Sequence, residues 1–254
     1  MELKIISYNI HMGLETEALT KNIMEFAKQG VDVFCLQEFW KWMQPVDLET
    51  LLLEALGPEW QIEYETPEKP SHDYGVCFLW NKSALKALSF HRLPMPKVAK
   101  PKLWEKAWIR AHGFNTFNTQ RGALIGTFNW NGQQVRITNL HLDWQGGVRQ
   151  RAAQISHIKD FLTGNPKADY EIICGDFNTI GIFNKKKQPK MFIGILGDGF
   201  YDACSKPEPT CPPFILDHIF VKNFQVQEFQ THKLAGSDHY PVFARLKGIV
   251  SRPN

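Results

Sequence analysis

Several things are missing from this sequence, and each absence removes a class of protein. No apolar run in the 254 residues approaches the ~18 needed to cross a bilayer. The opening segment MELKIISYN is strand-like with a polar end and has none of the marks of a secretory leader. Cysteine is sparse, odd in number at five, and never spaced as CxxC, so neither a disulfide framework nor a zinc finger is expected. Cys35, Cys77 and Cys174 sit inside apolar runs and read as small buried hydrophobes. Cys204 and Cys211 flank SKPEPT and either stay reduced or bridge in an oxidising compartment. Together these features set the expectation of a cytoplasmic chain. Charge of one sign is not in excess either, with 29 Lys and Arg against 26 Asp and Glu. A net charge of +3 suits an anionic partner without requiring one. The single lysine cluster, Lys185, Lys186, Lys187 and Lys190, reads as a solvated loop. GxSxG, Walker and GxGxxG patterns are all absent, which weakens covalent serine chemistry and nucleotide cradling.

What is present is a β-rich chain with interspersed helices. With 43% hydrophobic residues, including 18 Phe and 8 Trp, a large core can be built. VDVFCLQ is a near-continuous apolar run, the pattern of a strand buried on both faces, EIICGDF reads as another buried strand, and LKIISYN and GVCFLW read as strands. Residues 19–29, 47–56 and 148–162 have helical spacing, and Gly30 and Gly57 stop the first two. Asn131-Gly132 predicts a hairpin between RGALIGTFNW and QQVRITNLH. Residues 90–117, rich in Pro, Lys and Trp, read as a long loop or an irregular strand pair near the site mouth, and residues 180–190 as a loop. No linker-like segment breaks the chain, so residues 1–254 are expected to form one domain. An internal echo is visible as well: SYNIHMG, helix, VDVFCLQE parallels ITNLHLDW, helix, EIICGDFN. A duplicated unit would pack two sheets face to face and bring matching strand ends to one rim.

Polar residues at the ends of these strands carry the chemistry. Asn9, Glu38, His141, Asp176, Asn178, Asp217, Asp238 and His239 each follow or close a β-like run. The set is rich in oxygen donors and poor in thiolates, which suits Mg²⁺, or Mn²⁺ in its place, over zinc. Glu38 is the best single ligand. Asp176 and Asn178 are two apart and share a face, so together they can orient a water. His141 and His239 are placed to stabilise charge on a phosphate, with Asp217 as a partner for His239. Any one of these residues alone is as well explained by turn chemistry or a structural hydrogen bond. Their joint occurrence changes the odds.

In this order, SYN, LQE, NLHLDW, GDFN, LDHIF and SDHYPV resemble the endonuclease/exonuclease/phosphatase superfamily. The resemblance runs from Ser7 to Val242, and GDFN and SDHYPV are its most specific pieces. It implies a four-layer α/β/β/α sandwich of two packed mixed β-sheets flanked by helices. It also implies roles. Asn9 and Glu38 would hold the metal with Asp238. Asp176 would activate water, and Asn178 would position water and phosphate. His141 and His239 would stabilise phosphoryl oxygens, with Asp217 orienting His239. Arg121 would contact the substrate phosphate. The implied activity is a magnesium-dependent, nuclease-like hydrolysis of a phosphodiester by in-line attack of water. A phospholipid phosphodiesterase, an inositol or sugar phosphate phosphatase, and a non-catalytic module with the same fold stay open. The expected partner is a phosphate ester, in nucleic acid or phospholipid, met by a monomer with no transmembrane segment. Trp104 and Trp108 either stack on that partner or pack.

Overall fold

In the computed structural model, residues 2–40, 47–65, 75–97, 103, 107, 121–180, 187–197 and 199–249 are described. Among the described residues, twelve strands and four α-helices run in the order β1 (Glu2–Asn9), α1 (Thr16–Lys28), β2 (Val33–Phe39), α2 (Leu48–Leu56), β3 (Trp60–Glu65) and β4 (Gly75–Asn81). There follow β5 (Lys86–Pro94), β6 (Gly122–Trp130), β7 (Gln133–His141), α3 (Gly147–Gly164), β8 (Tyr170–Asp176) and α4 (Lys187–Leu196). The chain closes with β9 (Phe200–Asp202), β10 (Asp217–Lys222), β11 (Phe224–Thr231) and β12 (Val242–Gly248).

Strand alternation sorts the apolar side chains into three layers of contact. Leu3 and Ile5 of β1, Val33 and Cys35 of β2, and Ile172 and Cys174 of β8 meet in a central core between the sheets. Their neighbours Ile6, Tyr8, Phe34 and Leu36 face the other way, onto Leu19, Ile23 and Phe26 of α1 and Leu48 and Leu52 of α2. On the opposite side, Ile173 and Phe220 pack with Ile155, Ile158 and Leu162 of α3 and Phe192 of α4. Period-two strands buried on both faces therefore generate four layers, α/β/β/α. Each fully buried Ile or Phe contributes about 1.5–3 kcal/mol of transfer free energy.

The two sheets have matching plans. One runs β11-β12-β1-β2-β4-β3 and the other β5-β6-β7-β8-β10-β9. Each contains one parallel pair joined through a helix, β1 with β2 and β7 with β8, in an otherwise antiparallel sheet. The internal echo in the sequence corresponds to these two units. Helix starts and stops follow local chemistry. The Asp47 carboxylate caps α2 by accepting from the Glu49 N–H at 3.0 Å, and Gly57 leaves the helix at φ 86°.

Two expected loops are partly regular. Residues 90–94 belong to β5, whose edge pairs with β6 through Phe90, His91 and Arg92. Its mixed exposure hid the strand period. Residues 187–190 open α4, where Gln188 and Pro189 are buried and Lys187 and Lys190 stay exposed. Trp104, Trp108, Lys185 and Lys186 lie outside the described residues. Among the described residues, no helix is long and apolar enough to cross a membrane.

Candidate active site

Register builds the site. His141 lies opposite Asp176 across the β7–β8 pair, and Asp217 lies opposite Asp176 across β8–β10. Three functional residues thus form one row at the same end of three adjacent strands. In the facing sheet, Asn9 ends β1 beside Gln37 of β2, with Glu38 next in line. The β2–β4 register shifts between Gln37 and Phe39, and Glu38 occupies that bulge at φ 55°. A bulge re-aims a side chain out of its ladder, and a left-handed glutamate is held there only by its surroundings. Gly175 is required by close approach: a Cβ on it would collide with the Leu140 carbonyl.

The two sheets meet through hydrogen bonds. Asn9 Nδ2 donates to Asp176 Oδ2 at 3.2 Å and lies 3.4 Å from Glu38 Oε1, while its Oδ1 accepts from the His11 N–H at 3.1 Å. Beneath them, Gln37 Nε2 donates to Asn139 Oδ1 at 2.7 Å. Asn139 Nδ2 in turn donates to the Leu36 and Cys77 carbonyls. This buried bridge fixes the separation of the two strand ends.

Around Asp176 the groups converge. His141 Nε2 is 3.3 Å and His239 Nε2 3.9 Å from Asp176 Oδ2. The Asn178 N–H donates to Asp176 Oδ1 at 2.8 Å, and Asn178 Nδ2 donates to the Leu142 carbonyl. Asp217 Oδ2 lies 2.8 Å from His239 Nδ1. Arg121 Nη1 lies 3.2 Å from His141 Nδ1, and its Nε is 3.8 Å from Asp143 Oδ1. Asp238 stands at the exposed mouth, 3.6 Å from His11 Nδ1.

These positions separate the charge states of the two histidines. Burial, with the Arg121 and His239 charges, holds His141 well below its usual value, so it is neutral. A guanidinium only donates, so Nδ1 of His141 accepts and Nε2 carries the proton. Burial also opposes charge on His239, but the Asp217 carboxylate overcomes it and raises this imidazole well above its usual value. Burial pushes Asp176 up to about 7, against the pull of the His239 cation. Glu38 is raised by burial too, with Arg121 and His239 working the other way.

All nine sequence candidates gather at this rim: Asn9, Glu38, Arg121, His141, Asp176, Asn178, Asp217, Asp238 and His239. Their supports were not singled out from the sequence. Asp143 is buried, accepts from Gln154 Nε2 at 2.7 Å and braces Arg121. Thr210 Oγ1 accepts from the N–H groups of Leu216 and Asp217. Ser237 Oγ donates to the Asn9 carbonyl at 2.7 Å, tying the last motif to the first. The only advance signal was spacing: Asp143 falls two residues after His141. Cys204 and Cys211 are both free thiols.

Oxygen donors dominate the part of the site nearest Glu38. Two carboxylates with raised pKa values, the partly exposed Glu38 and the buried Asp176, lie on either side of one amide and would be relieved by a cation. This donor set fits a hard divalent ion.

Comparison with known proteins bears on the fold and the family. A structure of an endonuclease/exonuclease/phosphatase family protein from Bacteroides thetaiotaomicron superposes with a TM-score of 0.71 at 16% identity, covering 97% of each chain. TDP2 from D. rerio, solved with a single-strand DNA product, gives 0.70 at 18% identity, covering 97% of this chain and 99% of that one. The human Nocturnin catalytic domain with bound sulfate gives 0.64 at 18%, covering 97% and 94%. At such identities the likeness concerns the fold. A UPF0294 protein of Vibrio vulnificus is 28% identical over 116 residues, which is 44% of this chain and only 39% of that protein. The model of the Endonuclease/Exonuclease/phosphatase family matches residues 6–239. Fold and family match agree: this chain belongs to the endonuclease/exonuclease/phosphatase family.

Proposed function

We propose that the chain is a divalent-metal-dependent phosphodiesterase, nuclease-like in substrate, that hydrolyses a P–O ester bond by in-line attack of water. One observation carries this: a single oxygen, Asp176 Oδ2, lies within 4 Å of both His141 Nε2 and His239 Nε2, while Asn9 links it to Glu38. A base, two phosphate-facing donors and a metal ligand therefore share one small volume, as in-line phosphoryl transfer requires.

Glu38 would hold Mg²⁺ or Mn²⁺, with Asn9 and Asp238 beside it. When bound, the ion draws negative charge from the phosphate oxygens and lowers the barrier electrostatically. The chain's own residues do the rest. Asp176, raised to about 7, takes the proton of the attacking water. Asn178 holds that water, its Nδ2 already committed to Leu142. The neutral His141 donates Nε2–H to one phosphate oxygen, and Arg121 fixes that tautomer and adds positive charge. The His239 cation, held by Asp217, stabilises a second oxygen. The ester oxygen leaves opposite the water, and the phosphate keeps the water's oxygen.

The structural likeness to a protein solved with a DNA product favours nucleic acid as substrate. The test is hydrolysis of bis-p-nitrophenyl phosphate with Mg²⁺, followed by single- and double-stranded DNA, RNA, sphingomyelin and phosphoinositides. Turnover should be lost in Asp176→Ala and His239→Ala with the fold intact. Full activity in either variant removes the mechanism, and turnover of lipid alone removes the nucleic-acid assignment.

A further inference from the structure

Next to the oxygen-rich pocket is a group of donors with different chemistry. Cys211, Asp238 and His239 each present one ligand atom, all within 4.8 Å of one another. Two chain segments make this cluster. The Tyr240 N–H donates to the Thr210 carbonyl at 2.6 Å, which lays residues 210–211 along 239–240. Cys211 is then pinned by its exchange of backbone bonds with Phe214. On the other segment, the His239 N–H donates to Ser237 Oγ at 3.1 Å, which sets the turn carrying Asp238. Asp238 is exposed and Cys211 partly so, which gives an aqueous ion a way in.

Three features make this a cation site of its own kind. Its donors are sulfur, oxygen and nitrogen, and a thiolate selects soft or borderline ions over magnesium. Three protein ligands with an open fourth position is the arrangement zinc accepts at accessible sites. Finally, His239 already has the outer partner that metal-bound imidazoles use, a carboxylate on the other ring nitrogen: Asp217 holds Nδ1 at 2.8 Å and leaves Nε2 for an ion.

We propose that Cys211, Asp238 and His239 form an inhibitory site for a soft divalent cation, Zn²⁺ or Cd²⁺, whose occupation takes His239 away from the phosphate. Binding makes bonds to sulfur, oxygen and nitrogen and releases the thiol and Nε2 protons to solvent, with no change of oxidation state. The inhibitory half rests on the phosphodiesterase function proposed above, while the binding half does not.

The full chain is titrated with Cd²⁺ while the ultraviolet charge-transfer band of a cadmium–thiolate bond is followed, in wild type, Cys211→Ser and Cys204→Ser. Cys35, Cys77 and Cys174 are fully buried and stay silent. Wild type and Cys204→Ser should develop the band, and Cys211→Ser should not. Hydrolysis with Mg²⁺ is then measured against Zn²⁺, each variant relative to its own zinc-free rate. Half-inhibition should need at least about tenfold more Zn²⁺ in Cys211→Ser. No band in wild type, or an equal band in Cys211→Ser, overturns the site. A Cys211-dependent band with zinc-insensitive hydrolysis overturns the inhibition. If the chain hydrolyses nothing, the phosphodiesterase proposal fails, and the cadmium band still decides whether the site exists.

Discussion

Arg121 donates from Nη1 toward Nδ1 of His141 across 3.2 Å, and this contact decides which nitrogen of the imidazole carries its proton. The consequence can be measured. In wild type, nitrogen NMR should show His141 as the neutral Nε2–H tautomer throughout the neutral range. Arg121→Ala should remove both the tautomer bias and a positive charge, and lower kcat by roughly 10²–10³-fold, the usual loss for one oxyanion donor. An unchanged kcat would detach Arg121 from the reaction.

Asp176→Asn should separate stability from activity. Burial raises this carboxyl from 3.8 to about 7, so the folded state holds its proton more tightly than the unfolded chain does. Wild type therefore loses stability as pH rises from about 4 to about 7, and the loss persists above that range. The asparagine variant has no such loss. In metal-free protein at pH 8 its melting temperature should exceed that of wild type, while turnover falls by about 10²–10⁴-fold. A lower melting temperature at that pH would show that the charge is not a burden on the fold.

The pH–rate profile should be a bell. Activity needs Asp176 without its proton, so the rising limb falls at or below about 7, and lower when the metal is bound. It also needs His239 with its proton, and Asp217 raises that group well above its usual value, which puts the falling limb on the alkaline side. Asp217→Asn should move the falling limb down toward neutrality. The limbs belong to the coupled cluster rather than to single groups. A falling limb unmoved by Asp217→Asn would contradict the pairing.

Asn139→Ala tests the bridge beneath the site. It would take one acceptor from the Gln37 amide, which keeps Ser7 Oγ and the Cys35 carbonyl, and would remove the amide donor from the buried Leu36 and Cys77 carbonyls. Urea unfolding should show a loss of roughly 1–3 kcal/mol or more. Activity should fall as well, because Asn9 and Asp176 would lose their set separation. A loss below about 0.5 kcal/mol would mean that the bridge can be replaced by water.

Much of this molecule was legible in its sequence. The strands β2 and β8 showed as buried apolar runs because both of their faces pack, and β1 and β4 showed as strands. The site residues showed as polar breaks at the ends of those runs. What stayed hidden was long-range or local in a way that composition does not record. The β5 edge strand mixes exposed and half-buried positions, so its period was masked. Gln37 and Asn139 look like ordinary polar neighbours of the motif residues until the sheets are packed face to face. The bulge at Glu38 leaves no mark, since nothing in LQEF announces a positive φ. The neutrality of His141 comes first from burial and then from Arg121, twenty residues earlier, whose side chain is brought alongside by the β6–β7 pairing.

If Glu38 holds the divalent ion, hydrolysis depends on that ion and on this carboxylate. The most direct measurement is the initial rate of bis-p-nitrophenyl phosphate cleavage against Mg²⁺ concentration, after exhaustive chelation, in wild type and Glu38→Gln. The chelated wild type should be inactive, Mg²⁺ or Mn²⁺ should restore it, and Glu38→Gln should need at least about tenfold more Mg²⁺ for half-maximal rate, or never saturate. Undiminished turnover after chelation, or identical Mg²⁺ curves for the two proteins, would contradict it.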